Sequence, residues 1–383
     1  MLLSLLFLVA FTVQLIFYWV VLSAAFRPDP AELATPIQSA GKPVSVIVCF
    51  KNEEATLARL IELILGQDYP GEFELVLVDD HSTDNSASVV HPFAIQRDKV
   101  HLVTPGPTRP GKKDALSFGI QAARYDLLLL TDADCLPASN QWLRLMVSPL
   151  HRGKQLVLGA SPYLIESGAH LLTAWQRFES VYVSLKYLGF ARRKHPYMGV
   201  GRNLAYTKSF FQSAGGFAAH AHVASGDDDL LVGAAAVPDT AATVTHPGAW
   251  VYSHPEITWR NYFRQRARHQ STGSFYAKFI ASNLTLLAAS HGFFYLLGFA
   301  LLFTPYAYVA IVAYLLRLLI LLKVYRRPLL DTDPTRYAGA IAGARLGITN
   351  GAKLLANVAF FDCWIGPMYL YLALAGLVGR KGW

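Results

Sequence analysis

The chain has 383 residues, 53% of them hydrophobic, with a formal net charge of +8 and a mean hydropathy of +0.30. That apolar excess excludes a wholly water-soluble globule, and the basic excess comes with no nucleic-acid-binding module, so no nucleic acid partner is expected. Cys49, Cys135 and Cys363 form no C-x-x-C pair, which excludes a disulfide framework and fits a domain facing a reduced cytosol.

In chain order, the apolar run at 2–22 comes first and matches the ~20 residues of a membrane helix. No basic residue precedes it, and it exceeds the ~7–15 apolar residues of a signal-peptide core. With Tyr18 and Trp19 suited to a membrane interface, residues 1–26 read as a retained anchor rather than a cleaved leader. Residues 27–43, rich in proline, read as a linker to a soluble domain.

From residue 44 the pattern becomes α/β. "VSVIVC" (44–49) has the short, β-branched character of a strand buried on both faces. Asn52 is placed to cap a helix carrying Leu57, Leu60, Ile61, Ile64 and Leu65 at helical spacing. "FELVLVDD" (73–80) predicts a second strand, "HSTDNS" a turn and helix start, and "KVHLV" (99–103) a third strand. "GKKDALSFGIQAA" predicts a helix and "YDLLLLTD" a fourth strand. Such alternation implies a mainly parallel sheet covered by helices, with ligands beyond the carboxyl ends of its strands. Lys51, Asn52, Glu53, Asp79, Asp80, Asp132 and Asp134 all fall at those ends.

Asp132 and Asp134 lie two residues apart, so in extended chain both lean to one side. Paired carboxylates repel unless a cation lies between them, and a hard divalent ion that also holds substrate phosphates is the natural partner. A solvated turn would read the same way from D-x-D alone. Lys112 and Lys113 beside the same edge suit phosphate. "SGDDDLL" (225–231) reads either as an acidic helix start or as a general base near a reacting hydroxyl. The basic clusters at 191–195, 264–269 and 323–327 suit anionic lipid headgroups or substrate phosphates.

The ordered set "VSVIVCFKNEE", "VDDHSTDNS", "GKKDAL", "TDADC", "GVGRNLAYTKSFFQSAGGF", "SGDDDLL" and "QRARH" resembles the membrane-bound family 2 glycosyltransferases, the group of the cellulose, chitin and hyaluronan synthases. The resemblance covers about 42–272 and implies a GT-A domain at 44–272, flanked by the anchor and by a C-terminal membrane region at 273–383. It implies that Asp80 contacts the nucleotide base, with Phe50, Lys51, Asn52 and Glu53 lining that pocket. Asp132 and Asp134 match the D-x-D that holds Mg²⁺ or Mn²⁺ and the donor diphosphate. Gly201 to Asn203 match the family's loop near the donor sugar and acceptor, with Gly201 and Asn203 as the expected contacts. Asp227 and Asp228 fall where the family has Glu-Asp, making Asp228 the expected base, with Asp229 left open.

Gln265, Arg268 and His269 match the family's Q-x-x-R-W, with histidine replacing the tryptophan that stacks on an acceptor sugar, which argues against long-chain processive synthesis. Lys112, Arg266 and Arg268 are expected to share the charge of the departing diphosphate.

The implied reaction is inverting transfer from a nucleotide-sugar, a UDP-sugar ahead of a GDP-sugar, to a lipid-linked or saccharide acceptor. The alternatives are a processive polysaccharide synthase and a catalytically silent sugar-nucleotide-binding subunit. The expected setting is a bacterial inner membrane, among its lipids, with the catalytic domain cytosolic.

Two further spans are expected at 284–303 and 306–325, joined by a turn at Thr304 and Pro305. Arg317 inside the second is costly unless it snorkels or faces protein. The zone 354–378, with Asp362, Gly366 and Pro367, reads as kinked or re-entrant, and the stretch 331–353 before it as interfacial.

Overall fold

The computed structural model describes residues 1–27, 41–164, 171–223, 225–330 and 351–378, with the side chains of the last stretch described at 355–372. Most of the expected linker and interfacial segments, at 28–40 and 331–350, therefore lies outside the described residues. Helix α1 (Leu2–Ile16) continues helically to Ala24.

Strand β1 (Val44–Phe50) is buried throughout: Val44, Val46, Val48 and Phe50 enter one core and Ile47 and Cys49 the other. Such two-sided burial is why its sequence shows no polar alternation. α2 (Leu57–Leu65) buries Leu57, Leu60, Ile61 and Ile64, as the spacing predicted. β2 (Phe73–Asp79), α3 (Ser86–Gln96), β3 (Val100–Val103), α4 (Lys113–Ala122) and β4 (Leu127–Asp132) follow in the expected order. Then come β5 (Cys135–Pro137), α5 (Trp142–His151), β6 (Leu156–Gly159), the long α6 (Leu171–Arg192), β7 (Leu204–Thr207) and α7 (Lys208–Ser213). The domain finishes with α8 (Asp229–Ala235), β8 (Ala241–Val244), β9 (Val251–Ser253) and α9 (Trp259–Gln270).

Seven strands form one sheet in the order β3-β2-β1-β4-β7-β6-β8. β1 to β4 run parallel, while β7 is antiparallel to both its neighbours. α2 and α5 cover one face, and α4 and α6 cover the other. The register aligns Phe50 with Asp79 and Cys49 with Asp132, so the acidic ends of β1, β2 and β4 leave the sheet side by side. The chain changes direction of progress between β1 and β4, the place where open α/β sheets bind ligands.

Among the described residues, three helices are long and apolar enough to cross a membrane: Leu2–Ala24, α10 (Lys278–Leu301) and α11 (Ala307–Leu330). α12 (Gly351–Val378) carries Pro367 and packs on α6 and α9 as well as on α10 and α11. Arg317 faces protein and is 1% exposed. It pairs with the buried Asp362 of α12 and donates to Gln14 Oε1 at 3.0 Å, and its Nη2 lies 3.1 Å from His291 Nδ1. Tyr295 closes the cluster, donating to Asp362 Oδ2 at 2.5 Å. One ion pair thus ties α1, α10, α11 and α12 together where no water could solvate it.

Asn52 does not cap α2. Its backbone turns to φ 59° and its Oδ1 accepts from Thr83 N at 2.7 Å, so it braces the loops after β1 and β2. The helix begins at Leu57 without a side-chain cap.

Candidate active site

A cleft of about 780 Å³ opens beyond the carboxyl ends of β1, β2 and β4. Phe50, Lys51 and Glu53 line it from β1, Asp80 from β2, and Asp132 and Asp134 from β4. Asp80 is oriented by Thr108, whose hydroxyl donates to Oδ1 at 2.7 Å. The loop carrying Thr108 is itself anchored by Arg109, which grips Asp114 with Nε–Oδ2 at 2.9 Å and Nη2–Oδ1 at 2.5 Å.

The two lysines expected at phosphate part company. Lys112 lines the cleft and forms an ion pair with Asp132. Burial would raise the pKa of that carboxyl, but the ammonium outweighs it and holds Asp132 below the usual carboxylate range. Lys113 turns away and is buried, donating to the carbonyls of His220 at 2.7 Å, Val223 at 2.8 Å and Ser225 at 2.7 Å. It is a structural pin for the segment that leads into Asp227.

Ligand atoms of Asp132, Asp134 and Cys135 lie within 4.8 Å of one another. Burial drives the Cys135 thiol pKa well up, so its sulfur stays protonated and donates to Asp134 Oδ1 at 3.3 Å. Two carboxylates remain as hard oxygen donors. That set fits Mg²⁺ or Mn²⁺ better than a soft metal.

Across the sequence, Gly201, Asp227 and Asp228 reach the same cleft. Asp228 caps α8. Its Oδ2 accepts from Gly201 N at 2.8 Å and its Oδ1 from Asp229 N at 2.7 Å. A Cβ at residue 201 would meet Asp227 Oδ2 at 3.4 Å, an ordinary contact, so it is the backbone N–H of Gly201 rather than its missing side chain that serves Asp228. Burial, with Asp227 and Asp229 beside it, pushes the Asp228 carboxyl up to about 8. Asp229 is engaged elsewhere: its Oδ2 accepts from Thr272 at 2.5 Å and from Tyr276 at 2.9 Å.

Helix α9 brings Arg266, Arg268 and His269 to the cleft. Arg266 is already neutralised, with Nε 2.8 Å from Glu179 Oε2, and Tyr262 donates to the same oxygen at 3.0 Å. Enclosure and the nearby Arg266, Arg268 and Arg202 lower the His269 pKa, so its ring is neutral.

Three expected residues do not line the cleft. Asn52 braces loops. Asn203 is fully buried, donating to the carbonyls of Ala160 at 2.7 Å and Ala249 at 2.9 Å while Trp142 donates to it at 3.0 Å. Gln265 donates to Glu256 Oε1 at 3.1 Å.

Arg202, inside the Gly201–Asn203 loop, takes a larger part in the cleft than its neighbour Asn203. It lines the cleft, lies over the Tyr163 ring at 5.3 Å, and donates through Nε to Ser161 Oγ at 2.5 Å. The guanidinium is the signal "GRN" offered. Ser180, Val183 and Ser184 of α6 line the far wall, and their i, i+3, i+4 spacing reads only as one helix face.

Residues 45–219 match the model of glycosyl transferase family 2. The chain carries a family 2 glycosyltransferase domain. A probable glycosyltransferase of Bacillus subtilis, YdaM, is 23% identical over 239 residues, covering 59% of this chain and 54% of that protein. The poly-beta-1,6-N-acetyl-D-glucosamine synthase of Staphylococcus epidermidis is 28% identical over 135 residues, 33% of this chain and 32% of its own. A beta-monoglucosyldiacylglycerol synthase of Nostoc is 29% identical over 119 residues, 30% of this chain and 25% of its own. The chain thus spans about half the length of the first of these curated relatives and a third or less of the other two. Among solved structures, a mannosyltransferase from Pyrobaculum calidifontis in complex with GDP-Man and Mn²⁺ aligns over 99% of this chain and 100% of its own. With a TM-score of 0.51 and 20% identity, that match is one of fold, and the fold is GT-A.

Proposed function

We propose that this chain transfers a sugar from a nucleotide-sugar to a membrane-presented acceptor by a single inverting displacement. The observation that carries the reading is one cleft holding both the Lys112–Asp132/Asp134 group and the raised Asp228. Asp80, held by Thr108, suits a hydrogen bond from the nucleotide base, and the Pyrobaculum mannosyltransferase holds a nucleotide-sugar, GDP-Man, with Mn²⁺.

Asp228 acts as base. Only its ionised fraction, which grows as pH rises towards 8, can take the proton, and a carboxylate of so high a pKa accepts it far more readily than an ordinary one. Gly201 and Asp229 fix both its oxygens, so it meets the acceptor in one orientation. Lys112, Arg202 and Arg268 carry the negative charge that grows on the departing diphosphate. Arg266 contributes less, because Glu179 already balances it. A divalent ion on Asp132 and Asp134, when bound, adds Lewis-acid neutralisation of that diphosphate. Holding donor and acceptor in line supplies much of the remaining gain.

The acceptor is read as membrane-presented because α12, packed among the candidate spans, also packs on α6 and α9 at the cleft. Arg27, Lys278, Lys323, Arg326 and Arg327 cluster at the domain-side ends of the spans, which supports a cytosolic domain. Labelled-sugar transfer to membrane extracts from a panel of UDP- and GDP-sugars, with and without Mn²⁺, tests the reading. Absence of transfer from every donor would sink it.

A further inference from the structure

On α6, Val183 lines the cleft, and Lys186 lies one turn beyond it on the flank shared with α12. Its Nζ stands 4.4 Å from the centre of the Tyr182 ring and 5.0 Å from that of Tyr369 of α12. Among the described residues no carboxylate pairs with it. Glu179, the one acidic residue of α6, is taken up by Arg266 at 2.8 Å and Tyr262 at 3.0 Å. The seam therefore holds two cations against one carboxylate, in a part-buried place walled by aromatic rings. An uncompensated charge there is costly unless an anion completes it.

Behind the seam Phe178, Tyr325 and Phe361 are packed in the buried core, and next to Tyr369 α12 carries the exposed Leu370 and Tyr371. A cation ringed by tyrosines next to an exposed apolar helix fits a ligand with an anionic head and a hydrocarbon tail. In a bilayer the common anion of that kind is a phosphate ester.

We infer that the α6–α12 seam binds a lipid phosphate at the edge of the cleft, with Lys186 as its cation. This deepens the membrane-presented acceptor reading and rests on it. Burial, reinforced by Arg266 and opposed by Glu179, brings the Lys186 pKa down to about 8, while Tyr182 and Tyr369 stay neutral. The unliganded amine is thus open to acylation at mildly alkaline pH, and a bound phosphate suppresses that reactivity.

The test uses the full chain in uncharged detergent at pH 8, with an amine-reactive ester and peptide mass mapping of Lys186 and the exposed Lys194. Oleoyl lysophosphatidic acid near ten times its dissociation constant is expected to slow Lys186 labelling about tenfold and leave Lys194 unchanged. Equal protection by monoolein would mean that the tail alone occludes the seam, and would overturn the inference. Equal protection by inorganic phosphate would assign the site to a soluble anion and overturn it too.

In native mass spectrometry K186R is expected to retain the lipid phosphate and K186Q to lose it. Both variants should bind nucleotide-sugar as the wild type does. Retention by K186Q at wild-type level would refute the role of Lys186. If the wild type binds no nucleotide-sugar, the transferase reading fails, while Lys186 protection still reports on the seam.

Discussion

Gly201 and Asp228 are joined by a 2.8 Å hydrogen bond from the glycine N–H to Oδ2, while Oδ1 is held by Asp229 N at 2.7 Å. Backbone donors thus fix the carboxylate without neutralising it, and the side chain keeps a strongly raised pKa. Asp228→Asn preserves the shape and removes the base. Transfer is expected to fall roughly a hundred- to ten-thousand-fold, with donor affinity unchanged in calorimetry. Near-normal turnover would reassign the base.

The same shift fixes a stability trend. Asp228 keeps its proton in the fold up to about pH 8, whereas the unfolded chain releases it near pH 4. Over that window the native state binds more protons, so stability falls as pH rises, and levels off above the folded pKa. Asp228→Asn has no such loss. Its melting temperature relative to wild type should climb from pH 5 to pH 8, and a constant difference would show that Asp228 is not protonated in the fold.

Chelation with EDTA is expected to abolish transfer, and Mn²⁺ or Mg²⁺ to restore it. Asp132→Asn and Asp134→Asn should each weaken Mn²⁺ binding by at least about tenfold in titration calorimetry, since either change leaves a single anionic carboxylate. Full activity in EDTA would remove the metal from the mechanism.

Arg202→Lys keeps the charge and loses both the fork on Ser161 and the stack over Tyr163. A drop of roughly a hundredfold in kcat, with an unchanged melting temperature, is the expected result. An unchanged kcat would place Arg202 outside the charge-bearing set.

Asp362→Asn leaves Arg317 buried among the helices without its counter-ion. Such a loss costs about 3–5 kcal/mol, seen as a lower melting temperature in detergent. The pair Arg317→Met with Asp362→Leu should recover much of it. If the double variant is no better than the single, the cluster matters through its hydrogen bonds rather than its charges.

The sheet was legible because β1, β2 and β4 are buried on both faces, so their apolar runs stop only where a carboxylate reaches solvent. Asp80, Asp132, Asp134 and Asp228 were legible as residue types whose position at strand and helix ends has few other uses. Asn52 and Asn203 were not, because a polar side chain that braces backbone looks the same in sequence as one that meets a ligand. The neutralisation of Arg266, which does reach the cleft, was hidden for another reason. Its counter-ion, Glu179, comes from α6, far earlier in the chain, and no local pattern announces that pairing.

Lys112 and Lys113 are neighbours at the first turn of α4, yet one holds Asp132 and the other holds the carbonyls of His220, Val223 and Ser225 just ahead of Asp227. The leaving-group side and the proton-accepting side of the cleft are therefore hung from a single pivot. A tilt of that turn would shift both at once, giving donor occupancy a direct mechanical route to the alignment of Asp228.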